Sequence, residues 1–191
     1  DGMSCLSCHE LHRGADDPQE SERWRDDQLA PGMDGSEACL SCHADFADRI
    51  EAHSHHPAGS GGSECMNCHM PHTTYGLQKA IRSHRISNPS VQESVEMGRP
   101  NACNLCHLDK TLDWTAEYLE EWHETERPAM DEIWSRVPAS MVWSLKGEAA
   151  QRALTAWHLG WEPALEASGK GWQGKVLSQL LEDPYPAVRF I

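Results

Sequence analysis

Cys5-Leu6-Ser7-Cys8-His9 returns three more times in the chain, as Cys39-Leu40-Ser41-Cys42-His43, Cys65-Met66-Asn67-Cys68-His69 and Cys103-Asn104-Leu105-Cys106-His107. Two thiols three positions apart and an imidazole directly behind them are the residue types and spacing of covalent haem attachment. Each thiol adds across one vinyl group of the porphyrin, so the two sulfurs must stand a ring edge apart. The His that follows then lies under the ring as the proximal iron ligand. Paired Cys-x-x-Cys boxes also build zinc sites. Against zinc, all 8 Cys fall inside the boxes and a His follows each box. With 12 His in 191 residues, four such placements by chance are roughly a one-in-10⁵ event. The reading is four haem c groups. Cys5, Cys8, Cys39, Cys42, Cys65, Cys68, Cys103 and Cys106 carry the thioethers, and His9, His43, His69 and His107 are the proximal ligands.

The rest of the composition agrees with a chain organised by such plates. Phe, Val and Ile are scarce, and the mean hydropathy is −0.64. An ordinary aliphatic core is thin for this length, and buried porphyrins would supply the missing apolar surface. A formal charge of −14 disfavours nucleic acid and anionic membranes as partners and favours basic ones. No run of 18 apolar residues exists, so no membrane span is expected. Covalent haem attachment takes place outside the cytoplasmic membrane in bacteria. The expected location is therefore periplasmic or extracellular, with a signal segment removed and the chain a processed or partial piece of something longer.

The expected fold is mainly α with large irregular regions. Residues 1–110 form a tetrahaem domain organised by haem packing, and residues 111–191 a Trp-rich helical region. Between boxes one and two the chain is acidic and turn-rich, with a short helix near Ser21 to Leu29 and Trp24 beside a haem edge or in a core. A helix is expected from Ala44 to about His53, with Phe46, Ala47 and Ile50 on one face. Residues 65–102 are punctuated by Pro71, Gly76, Pro89, Gly98 and Pro100, and few of them have the period of a strand. After Lys110 the texture changes, and seven of the eight Trp fall there. Helices are expected over Thr111 to about Thr125, ended by Pro128, over Glu148 to His158, and over Gln173 to Leu181. Pro186 opens a fourth. Short helices joined by Asp-Pro turns suggest an α-repeat.

A proximal His leaves the sixth iron position to be filled, and its ligand sets the function. A second His gives a low-spin electron carrier, a Met raises the potential, and an open position admits substrate. His12, three residues after His9, can reach a neighbouring haem but not the far face of its own. His53 and His56 share a face if they lie on one helix, with His55 pointing elsewhere. His84 is flanked by Arg82 and Arg85, cations able to pair with propionates. His12, His53, His56 and His84 are the expected distal ligands. His55 and His72 are secondary candidates, and His123 and His158 read as core or surface residues. The Met residues read as packing.

Several stretches resemble the multihaem c-type cytochromes that carry tetratricopeptide or HEAT-like repeats behind a haem cluster. The likeness covers most of the chain. It rests on the His-x-x-His before Pro57, on Cys68-His69-Met70-Pro71 with Thr73-Thr74-Tyr75, and on Ser83-His84-Arg85. Gly98-Arg99-Pro100-Asn101-Ala102-Cys103 with Asp109-Lys110 and Trp114 adds to it, and Asp183-Pro184 with Val188-Arg189 looks like a HEAT-type turn. The resemblance favours His53, His56 and His84 over His55 and His72. It implies electron transfer with redox protein partners, or self-association into chains of haems or a filament. Two other readings stand beside it. One is an oxidoreductase acting on a small nitrogen compound at one open haem, although the Lys that marks nitrite reductases in place of a proximal His is absent. The other is a haem-stabilised binding module.

Overall fold

The computed structural model describes residues 2–10, 28–76 and 78–191. His12 and Trp24 lie outside them, as does the expected helix near Ser21 except at its end. There Leu29 is extended and bridges antiparallel to His9. The described chain is mainly helical, with one two-stranded sheet. No helix among the described residues is long and apolar enough to cross a membrane. The chain divides into two compact units, residues 1–66 and 67–191. The boundary expected at residue 110 falls inside the second unit, where the fourth box packs against the Trp-rich helices.

The first unit is built of short turns. Cys5–Ser7 is a 3₁₀ turn, followed after the undescribed segment by α1 (Glu37–Leu40). The expected helix from Ala44 exists in two parts, a 3₁₀ stretch over Ala44–Arg49 and α2 over Ile50–Ser54. His55 takes φ +56°, the left-handed conformation that ends a helix. The unit's buried side chains, among the described residues, are those of Ser36 and Ser63. Ser36 Oγ donates to Glu64 Oε2 at 2.9 Å and accepts from the Cys65 N–H at 3.1 Å, tying the second box to the third.

Helix α3 (Cys65–His69) carries the third box into the second unit. Strands β1 (His72–Tyr75) and β2 (Lys79–Arg82) then pair antiparallel, His72 opposite Arg82 and Tyr75 opposite Lys79. This hairpin corrects the irregular reading of residues 65–102. Its pattern is inverted for a half-buried strand: in β2 the apolar Ile81 faces out while Arg82 is half-covered, so apolar alternation does not reveal it. Helix α4 (Val91–Met97) was also unexpected. It begins on Ser90, whose hydroxyl accepts from the Glu93 N–H, and ends on Gly98 at φ +68°.

Helices α5 (Ala102–Cys106), α6 (Leu112–His123), α7 (Ile133–Arg136), α8 (Ala139–Lys146), α9 (Ala149–His158), α10 (Glu162–Ser168), α11 (Gln173–Leu180) and α12 (Pro186–Phe190) complete the unit. Four lie where the sequence placed them, α6, α9, α11 and α12; α7, α8 and α10 were not anticipated. Helix α6 starts from a Thr111 cap and stops at Glu124, φ +54°, four residues short of the Pro128 expected to end it. Helix α9 is the hub. It packs on the hairpin, on α8 and on α12, and its buried residues serve two cores. Leu154 joins Val91, Leu105, Leu112, Leu119 and Trp143 in one. Ala153 and Ala156 join Leu108, Leu159, Val176, Leu180 and Val188 in the other. Each fully buried Leu or Val stabilises by about 1.5–3 kcal/mol.

Candidate functional site

All four boxes lie on a helical turn, and the turn explains the spacing. In the first, second and fourth boxes the His N–H donates to the carbonyl of the first Cys, at 2.8, 2.9 and 2.8 Å. The third box is helical throughout, over Cys65–His69. Positions i, i+3 and i+4 share a helix face, so both thiols and the imidazole project together.

Two of the box histidines are held by the same device. His9 Nδ1 lies 3.2 Å from the Gln28 carbonyl oxygen, and His69 Nδ1 lies 3.2 Å from that of Ser87. Backbone N–H groups return the contact, from Glu10 to Gln28 and from Ser87 to His69. An imidazole donating from Nδ1 to a carbonyl presents Nε2 as its acceptor nitrogen, the usual preparation of a metal-bound His. His107 is fixed differently, its ring 5.0 Å from that of Trp114.

The thiols of consecutive boxes are neighbours. In the first unit the Cys39 thiol lies beside that of Cys65. Burial first, and the nearby Cys65 thiol second, push the Cys39 pKa up to about 11. In the second unit burial and the adjacent Cys68 push Cys106 up to about 12 and raise Cys103 as well. All the cysteines are free of disulfides. They are therefore available as reduced thiols, the form that adds to a vinyl group.

The fourth box is locked to its helix by an amide inside the box itself. Asn104, fully buried, donates from Nδ2 to the carbonyls of Lys110 and Thr111 at 3.2 and 3.1 Å. Its Oδ1 accepts from Thr115 Oγ1 at 2.8 Å. In the third box Asn67 Oδ1 accepts from Arg82 Nη2 at 2.5 Å. A cleft lies beside these two boxes, lined by Cys68, Pro71, Ser87, Arg99 and Asn101. Asn101 Nδ2, buried there, has no hydrogen-bond partner among the described residues, a donor that a propionate would satisfy. Thiol placement, the Nδ1 contacts of His9 and His69 and this donor all fit a covalently attached haem.

The expected distal ligands meet different fates. His12 lies outside the described residues. His53 is exposed on α2, its ring 4.8 Å edge-on from Phe46, which lies 6.4 Å from His43. His56 does not share that helix, because α2 stops at Ser54. It is half-buried, its Nδ1 lies 2.5 Å from the Ser54 carbonyl, and the backbone of Gly62 runs directly against its ring. His84 is exposed after β2. The flanking cations already have protein partners, Arg82 with Asn67 and Arg85 with Glu93 at 2.7 Å.

The sequence reading did not foresee one cluster. His72 packs 4.5 Å from Trp157, 5.3 Å from His158 and 5.1 Å from Trp161. His158 is fully buried and its Nδ1 lies 2.8 Å from the Leu154 carbonyl oxygen. Its Nε2 has no hydrogen-bond partner among the described residues. Burial lowers its pKa to about 4 and that of His72 to about 3, so both rings are neutral near pH 7. The signal was present in Trp157-His158 with Trp161 four positions after Trp157, but the partner His72 is distant in sequence.

No protein-family model, curated protein or solved structure matches this chain.

Proposed function

We propose that this chain is a tetrahaem c-type cytochrome that transfers electrons in the periplasm or outside the cell, its haems held by two histidines each. The observation that carries the proposal is the four Cys-x-x-Cys-His boxes on helical turns, each projecting two reduced thiols and an imidazole from one face. When bound, each haem supplies a one-electron couple at its iron. The chain's own residues do the rest. Gln28 and Ser87 orient the imidazoles of His9 and His69. Ser36 joins the second box to the third, and Asn104 anchors the fourth to α6. The closeness of Cys39 to Cys65, and of Cys68 to Cys103 and Cys106, supports attachment points near enough for electrons to pass between neighbouring rings. The sequence resemblance supports the same reading, with residues 111–191 as the HEAT-like helical region.

The test is haem content by pyridine haemochrome together with low-temperature electron paramagnetic resonance of the oxidised protein. Four haems per chain, all low-spin, are expected. A stoichiometric high-spin signal would replace the carrier with an open-site oxidoreductase, and zinc in place of haem would end the proposal.

A further inference from the structure

Helix α6 has two working faces. Leu112, Thr115, Ala116 and Leu119 are buried and make the core. Trp114, Tyr118 and Trp122 repeat every four residues on a neighbouring, half-buried face. Their rings follow one another at 4.7 and 4.8 Å, and Trp114 lies 5.0 Å from His107. Four rings in contact therefore run from the fourth box to the far end of the helix. A core needs no such row reaching the surface, and none of the three rings belongs to either apolar core.

The surroundings of the outer end have one sign. Glu117, Glu120, Glu121, Glu124 and Glu126 are all exposed, and no Lys or Arg occurs from Thr111 through Glu126. Arg127, the next cation, is held by Asp113 at 2.6 Å. Resting on the haem reading above, we propose that α6 is the port at which the fourth box exchanges electrons with a basic redox protein. Glu117–Glu126 dock it, and His107, Trp114, Tyr118 and Trp122 bridge to it. Lysines of such a partner meet the carboxylates. With haem held by the fourth box, one electron would cross per encounter, between that haem and a one-electron centre of the partner. One centre is oxidised as the other is reduced, the rings stay in their ground state, no bond changes and no proton moves.

The experiment uses the full haem-loaded chain and a basic monohaem cytochrome c as the probe. Haem content is measured first, and fewer than four haems in the wild type would overturn the haem reading and the port together. With four haems present, stopped-flow exchange is followed at low ionic strength. Trp122→Leu and Tyr118→Leu are expected to slow exchange severalfold at unchanged haem content and spectrum, with Trp122→Phe and Tyr118→Phe restoring it. Glu120→Gln, Glu121→Gln and Glu124→Gln together are expected to lower the rate about tenfold and flatten its salt dependence. Glu166→Gln, on α10, serves as the control. Carbodiimide cross-links to the probe are expected within Glu117–Glu126. Four haems with wild-type exchange in Trp122→Leu, or cross-links confined to other carboxylates, would overturn the port and leave the haem reading standing.

Discussion

Single side chains hold the boxes in place, and Asn104 carries the heaviest share. Its amide satisfies two backbone carbonyls and a threonine hydroxyl inside the protein. Asn104→Ala strands the buried Thr115 hydroxyl, at about 1–3 kcal/mol, while the Lys110 and Thr111 carbonyls keep the N–H groups of Ala139 and Thr115. A loss of about 2 kcal/mol in urea unfolding of the haem-loaded protein is expected, with Thr115→Val adding little once Asn104 is gone. Gly62 tests His56 more gently than removing the imidazole does. A Cβ at residue 62 would overlap the His56 ring, which can turn aside while the backbone stays. Gly62→Ala and His56→Ala should therefore produce the same high-spin signal in electron paramagnetic resonance. Retention of low-spin spectra by both would remove His56 from the ligands. For His84, exposed after β2, replacement by Ala should likewise convert one haem per chain.

At the scale of elements, the C-terminal helices depend on a clamp between α9 and the turn before α12. Arg152 reaches Asp183 with two nitrogens, Nε to Oδ2 at 2.5 Å and Nη2 to Oδ1 at 3.0 Å. The Tyr185 N–H adds a bond to Oδ1 at 2.8 Å, and Arg189 caps the Asp183 carbonyl. The Asp183 side chain is 5% exposed, so breaking the pair strands a buried charge and costs about 3–5 kcal/mol. Asp183→Leu should lower the melting temperature of the second unit while haem content stays near the wild-type value. The Arg152 hydrogen bond, and then the Tyr185 N–H, hold the Asp183 carboxyl below its ordinary value. A group with a depressed folded-state pKa stabilises fully above its unfolded value, about 4, and loses that contribution as pH falls through the folded value. The part of the pH dependence of stability that Asp183 contributes should accordingly set in below about pH 4 and be absent from the Asp183→Leu variant. The hairpin shows why elements can escape sequence reading: Arg82 points inward because Asn67 and the Trp161 ring receive it, and Ile81 is left outside.

The whole molecule is unequal in what holds its two units. The second has two apolar cores around α9. Among its described residues the first unit buries only Ser36 and Ser63, while Met3 and Leu6 stand exposed. A unit of this size cannot offset its chain entropy without apolar burial, and porphyrins packed against it would provide that burial. Chain made without haem attachment should therefore keep helix in residues 67–191 and lose order in residues 1–66. Limited proteolysis with circular dichroism checks this. Equal resistance of both units would show that the first is stabilised without haem.

The boxes were legible because their residue types and spacing are local, set within one helical turn. So were α6, α9, α11 and α12, whose caps and apolar periods are also local. The mainly helical class followed from them. The sequence alone did not determine which boxes would be neighbours, that the fourth would pack on the Trp-rich helices, or that His55 would break the helix between His53 and His56. Nor did it determine the meeting of His72 with His158, or the continuation of His107 into the α6 rings. These are contacts between residues far apart in the chain or choices made by a single backbone angle. Periodicity carries no information about such contacts, and only packing in three dimensions decides them.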